Sequence, residues 1–196
     1  MNRTPLLLAA LLFACDGGGT TTDAGPPAEM FVVDFDTSAG PIAVEVHPEW
    51  APLGAARFRE LVEMGFYDDT RFFRVVPGFV AQFGLSGDPA VNAAWQSNRI
   101  ADDPVVASNT RGRVTFATAG PGTRTTQLFL NYGDNAGLDP MGFAPFGEVI
   151  EGMENADAIE AEYGEMPQQP RIQSEGNAYL DAQFPNLTAI RSASVR

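Results

Sequence analysis

Lysine is absent from this chain: all 12 basic residues are arginine, set against 25 acidic residues for a formal charge of −13. Binding to a phosphate backbone needs clustered cations, so nucleic acid is excluded as a partner. Cysteine and histidine occur once each, which excludes a disulfide framework and a Cys/His metal site. No metal and no cofactor is expected. Cys15 lies outside the folded part, so a Cys15–His47 nucleophilic pair is excluded as well. His47 stands at a strand end beside Pro48 and reads as structural or exposed. The one strongly apolar run, Leu6–Phe13, is too short to span a bilayer as a helix. There is no internal repeat.

What is present is a core. Hydrophobic residues make up 44% of the chain and include 14 Phe, enough for one folded domain with an N-terminal attachment. Residues 1–15 read as a signal segment: Arg3 supplies the positive start, and the apolar run ends at Leu12-Phe13-Ala14-Cys15. This resembles a bacterial lipobox, which implies lipidation of Cys15 and a membrane anchor. The expected location is the cell envelope, facing the periplasm or the exterior. Residues 16–29, rich in Gly, Thr and Pro, read as a flexible tether, and 30–196 as the domain.

Within the domain, Met30–Phe35 and Gly40–Val46 form a first hairpin. Pro52–Gly65 carries a helical apolar stripe with Pro at its start and Gly at its end. Leu85–Asn109 shows no strong periodicity and reads as a long loop, with Asp102-Asp103 as a solvated turn. Arg113–Ala117, Gln127–Asn131 and a segment within Phe143–Ile150 are strands. Glu151–Tyr163 reads as a second helix, Ile172–Phe184 as a third interrupted by Gly176, and Leu187–Val195 as a last strand. Many short strands with two main helices point to a mainly β fold, an antiparallel barrel capped by helices.

One stretch is unusual. Thr70–Gly84, TRFFRVVPGFVAQFG, reads as a hairpin whose apolar runs each carry one long polar side chain, Arg74 and Gln82. A two-residue loop at Pro77-Gly78 would pair Arg74 with Ala81 and put Arg74 and Gln82 on opposite faces. Pro-Gly suits a type II turn, which fits hairpins poorly, so a longer or bulged connection is expected.

Three motifs together resemble the cyclophilin family of peptidyl-prolyl isomerases. The first is Phe73-Arg74-Val75-Val76-Pro77-Gly78-Phe79-Val80-Ala81-Gln82, with Phe73 where the family usually has His. The second is Phe116-Ala117-Thr118-Ala119-Gly120-Pro121 leading to Thr125-Thr126-Gln127-Leu128-Phe129. The third is Leu138-Asp139 leading to Phe146-Gly147-Glu148-Val149-Ile150-Glu151-Gly152-Met153. The resemblance covers roughly Met30–Tyr163 and the last strand. It implies a closed eight-stranded antiparallel barrel with a helix at each end, and makes Pro170–Asn186 an insertion.

The resemblance also implies roles. Arg74 is the catalytic guanidinium. Phe79, Val80, Phe129 and Leu138 form a proline pocket, and Gln82 bonds the substrate backbone. Ala117, Thr118, Ala119 and Gln127 line the groove. Two positions depart from the family: Gly137 stands where many members carry Trp, and Phe143 where they carry a pocket His. The expected partners are proline-containing client proteins outside the cytoplasm, and the expected state is a monomer. A proline-motif binding module without turnover is the alternative reading. A lipocalin-like carrier is disfavoured because the interior looks filled by Phe.

Overall fold

A computed structural model describes residues 29–196. The signal segment, the Cys15 lipidation site and nearly all of the 16–29 tether lie outside the described residues. Among the described residues, no helix is long and apolar enough to cross a membrane.

The chain begins with β1 (Phe31–Thr37) and β2 (Gly40–Val46), paired antiparallel from Phe31↔Val46 to Thr37↔Gly40. α1 (Pro52–Glu63) follows, then β3 (Thr70–Arg71), β4 (Arg74–Val76), β5 (Val80–Phe83) and α2 (Pro89–Trp95). Next come β6 (Arg113–Phe116), β7 (Leu128–Asn131), a 3-10 turn over Ala136–Met141 and β8 (Pro145–Glu151). The chain ends with α3 (Met153–Asp157), α4 (Gln169–Glu175), α5 (Asn177–Gln183) and β9 (Ala189–Val195).

All nine strands form one curled antiparallel sheet, in the order β3-β9-β1-β2-β8-β6-β7-β5-β4. Alternate residues face inward, and Phe35, Val44, Phe58, Leu61, Phe83, Val114, Phe116 and Phe146 make the core. The interior is filled by Phe, as expected. The count differs from the expected eight: the sheet has nine strands. The expected single strand through Thr70–Val76 is split in two, and its halves are the two edges of the sheet. Phe72 and Phe73 separate them: the Phe72 amide donates to Thr188 on one side, the Phe73 amide to Gln82 on the other. Their side chains diverge too. Phe72 enters the main core. Phe73 enters a second cluster with Leu85, Ile172, Tyr179, Leu180, Phe184 and Leu187.

That second cluster explains the insertion. α4 and α5 fold over the back of β4 and bury the aromatic residue that precedes Arg74. Gly176 breaks the expected single helix in two, at φ +61°, and a Cβ there would lie 2.0 Å from the Gly87 carbonyl oxygen. Two other elements differ from the sequence reading. The Leu85–Asn109 segment contains α2, whose Asp88 accepts a bond from the Ala90 amide with Pro89 at the first helical position; Asp-Pro is a start signal. α3 stops at Asp157 rather than Tyr163. Acidic residues at a helix C-terminus oppose its dipole, and the Glu160 amide is taken by the Thr188 hydroxyl.

Candidate functional site

The site starts from the β4–β5 hairpin. Its register is Arg74↔Gln82, Val75↔Ala81 and Val76↔Val80, so Pro77-Gly78-Phe79 forms a three-residue loop. Gly78 sits at φ +73°, a left-handed conformation that side chains resist. The extra residue restores parity: Arg74 and Gln82 are directly opposite and share a face.

β7 extends that face, with Gln82↔Phe129 and Val80↔Asn131. One cavity of about 270 Å³ is lined by Arg74, Phe79, Val80, Gln82, Ala117, Thr118, Phe129, Leu138, Phe143 and Gln169. A neighbouring cavity of about 230 Å³ shares Gln82, Ala117, Thr118 and Gln169 and adds Ala119, Thr123, Thr125 and Gln127. The two therefore bring together every groove residue named from the sequence. Phe129 and Phe143 meet edge to face at 5.7 Å. The result is an apolar floor with a polar wall.

The wall is a hydrogen-bonded line. Arg74 Nη1 donates to Gln82 Oε1 at 3.3 Å, and Gln82 Nε2 donates to Gln127 Oε1 at 2.9 Å. The Arg74 guanidinium also lies 5.8 Å from the Phe79 ring centre. On its outer side, Arg74 Nε donates to Glu165 Oε1 at 2.6 Å, and Nη2 meets the same oxygen at 2.6 Å. Glu165 and Gln169 belong to the segment after α3, and sequence reading missed both. Nothing in their spacing marks them; the Val75 amide bonding to the Gly164 carbonyl brings that segment to β4.

Two carboxylate anchors, one buried and one partly exposed, hold the loops that border the groove. Asp103 is buried, not solvated as expected. Its carboxylate accepts from the Leu53 and Gly54 amides at 3.0 and 2.8 Å and from Arg124, which is also buried, at 3.1 Å. It thus supplies the N-terminal cap that Ala51 cannot give α1. Asp102 accepts from the Gly122 amide at 2.7 Å, so the acidic pair pins the loop carrying Thr118 and Ala119.

The second anchor is Asp139, next to Leu138. It accepts bonds from the Ser108 hydroxyl and from both the amide and the side chain of Asn109. Burial pushes the Asp139 carboxyl up, but these bonds outweigh it and leave its pKa below the usual value. A lowered folded pKa gives stability that is complete above the unfolded carboxylate value and is lost as pH falls through the folded one. We expect the pocket rim to loosen only below about pH 4. Thermal unfolding of wild type and Asp139→Asn across that range checks this: the variant should be less stable at neutral pH and show a shallower acid loss. Parallel pH profiles would refute it.

His47 is buried beside Glu45, Glu49 and Glu148, away from the groove. None of these residues lines either cavity.

Comparison with known proteins gives a consistent picture. The family model described as cyclophilin type peptidyl-prolyl cis-trans isomerase matches residues 32–176. A peptidyl-prolyl cis-trans isomerase of Acinetobacter baylyi is 31% identical over 167 residues, covering 81% of this chain and 82% of its own. Peptidyl-prolyl cis-trans isomerase A of Dickeya dadantii is 39% identical over 129 residues, covering 63% of this chain and 67% of its own. The crystal structure of a Cryptosporidium parvum cyclophilin superposes with a TM-score of 0.63 at 21% identity, covering 86% of this chain and 98% of that one. The curled sheet is therefore the cyclophilin fold.

Proposed function

This chain belongs to the cyclophilin-type peptidyl-prolyl cis-trans isomerases, and from that premise we propose that Arg74 carries the reaction in a groove facing extracytoplasmic clients. The observation that carries the reading is the placement of Arg74 and Gln82 opposite one another on one face, above the Phe129–Phe143 floor.

Rotation about a peptide bond faces a barrier of about 18–20 kcal/mol from amide resonance. X-Pro bonds populate both isomers, with uncatalysed exchange over tens of seconds or more. A planar prolyl nitrogen has no lone pair to offer. As the bond twists, the nitrogen pyramidalises and becomes an acceptor. A donor fixed where that lone pair emerges binds the twisted state better than either planar isomer, and only such differential binding accelerates the step.

Arg74 is suited to that task. Glu165 engages Nε and Nη2, Gln82 engages Nη1, and the second Nη1 hydrogen remains for substrate. Phe79, Val80, Phe129, Leu138 and Phe143 receive the ring and keep water from the amide. Gln82 and Gln127 present amide groups to the substrate backbone, and Ala117, Thr118 and Ala119 shape the neighbouring cavity for the residues beside the proline. The Cryptosporidium parvum protein has also been crystallised in the presence of the dipeptide Ala-Pro, the simplest ligand of the class proposed here.

The edges of the sheet adjoin through Phe72-Phe73, which supports reading it as the family's barrel. The leader ending at Cys15 supports a lipid-anchored enzyme in a bacterial cell envelope. Isomerisation of a proline peptide by residues 29–196, followed by NMR exchange, tests the activity. Peptide binding with exchange at the background rate would identify a proline-binding module instead. Mass spectrometry of the mature N-terminus tests the anchor; an unmodified Cys15 would overturn it.

Glu165 provides a finer test. It holds the guanidinium plane but also offsets its charge. The carboxylate is largely exposed, so solvent screens the charge effect and the orienting effect prevails. Glu165→Ala is expected to lower kcat about two- to fivefold with KM nearly unchanged. A faster variant would mean that Glu165 restrains the enzyme.

A further inference from the structure

We propose that Glu45, His47 and Glu148 form a binding site for a divalent transition-metal ion of the zinc class, outside the isomerase groove. Glu45 lies on β2 and Glu148 on β8, directly opposite each other in the ladder. His47 follows β2 two residues after Glu45, on the same face. One ligand atom from each lies within 4.8 Å of the others, the one such grouping among the described residues.

Like charges facing each other across a ladder are destabilising, so this pairing needs a cation between or beside its members. His47 Nδ1 is 2.9 Å from Glu49 Oε1. A carboxylate can only accept, so that nitrogen carries the proton. In the neutral ring the lone pair is then on Nε2, aimed at the acidic pair. Nε2 lies 3.1 Å from Glu45 and 3.6 Å from Glu148. It is nonetheless a buried atom without a hydrogen-bond partner, in a residue 8% exposed.

Distances favour a shared ion. Zinc bonds N and O ligands at about 2.0–2.2 Å in a tetrahedron, which sets ligand atoms about 3.3 Å apart. The two Nε2 separations bracket that value. Glu49 occupies the outer position that commonly fixes the tautomer of a metal-ligating histidine. His47 also stacks on Trp50 at 3.8 Å and 9°, which fixes the ring plane. The competing cation is Arg113, whose Nη1 lies 3.1 Å from Glu148 Oε2. It engages the other Glu148 oxygen and leaves Oε1 to the site. With His47 neutral, as a metal-ligating imidazole is, three carboxylates against one guanidinium leave two negative charges, matching a divalent ion. Two oxygens and one imidazole nitrogen suit zinc better than calcium or magnesium, which favour all-oxygen shells.

Zn²⁺ titrated calorimetrically into the metal-free full-length chain tests this. One saturating ion per chain is expected, and the unfolding temperature should rise with Zn²⁺ but much less with Mg²⁺. His47→Gln should weaken uptake at least about 100-fold, and Glu45→Gln or Glu148→Gln at least about tenfold. Because His47 is remote from the groove, His47→Gln should isomerise at the metal-free wild-type rate, which reports its folding. If it does not fold, Glu45→Gln/Glu148→Gln, made at partly exposed positions, is read in the same way. Bound Co²⁺ should show visible absorption that the folded variant lacks. Absence of saturable uptake up to about 1 mM Zn²⁺, or wild-type affinity in the variant, would overturn the site.

Discussion

Replacing Arg74 with alanine is expected to lower kcat/KM for a proline peptide about 10²–10³-fold, the usual cost of losing one preorganised donor to a transition state. The loss should fall on kcat, because the apolar pocket that binds the planar isomers stays intact. Folding should be unaffected, as Arg74 is a partly exposed residue whose ion partner Glu165 is exposed. Arg74→Lys should recover little. An ammonium keeps the charge, but it cannot bond Glu165 and Gln82 while directing a further donor into the groove. Peptide exchange measured by NMR, with a separate binding isotherm, separates these effects. Activity of Arg74→Ala within threefold of wild type would exclude the guanidinium as the principal donor.

The largest effect on stability is expected at Asp103. Its carboxylate caps α1 through Leu53 and Gly54 and neutralises Arg124 in a buried pair with side-chain exposures of 0% and 3%. Asp103→Ala leaves a buried guanidinium held only by the neutral Ala101 carbonyl, to which Nη2 donates, and by a weak carboxylate neighbour, Asp102, at 3.4 Å, and uncaps two amides. Breaking such a pair costs about 3–5 kcal/mol. Asp103→Ala/Arg124→Leu should recover part of that loss, since the uncompensated charge is gone while the amides remain unpaired. The groove should suffer as well. Arg124 is bridged to Ile100, and the neighbouring Asp102 holds Gly122, so KM should rise in the single variant even where it remains folded. Chemical denaturation and steady-state kinetics check both. A destabilisation below about 1 kcal/mol would mean that solvent reaches Arg124 and that the anchor is not a buried one.

These two residues show how differently the sequence disclosed them. Arg74 was legible because it is out of place: a cation in an apolar β run demands a reason, and the surrounding motif supplied one. Asp103 was misread. An Asp-Asp-Pro string looks like a solvated turn, and nothing local reveals that the amides of α1 and the side chain of Arg124, far apart in the chain, converge on it. The parity of the hairpin lay between these cases. The need for Arg74 and Gln82 to share a face dictated a longer connection, and Pro77-Gly78-Phe79 is that connection. Helix α2 was legible in principle, since Asp88-Pro89 marks its start, but seven residues are too few for a clear periodicity.

The insertion shows the limit most clearly. From sequence, Pro170–Asn186 was extra chain without a role, and Phe73 was a departure from the family. Together they make one cluster in which α4 and α5 bury Phe73, and the segment leading into them places Glu165 on the catalytic candidate. Residues separated by about 90 positions leave no trace of such a contact in local pattern.

Local chemistry in this chain determined its class of fold, its family and the side chains of its groove, because strand alternation, turn residues and motif spacing act over a few residues. Tertiary structure alone decided how the sheet curls, which loops are pinned by buried charge, and what stands behind Arg74. It also brought the chain's one histidine against carboxylates from two strands. Those outcomes rest on pairings between distant segments, whose energies depend on burial and geometry that exist only once the chain has folded.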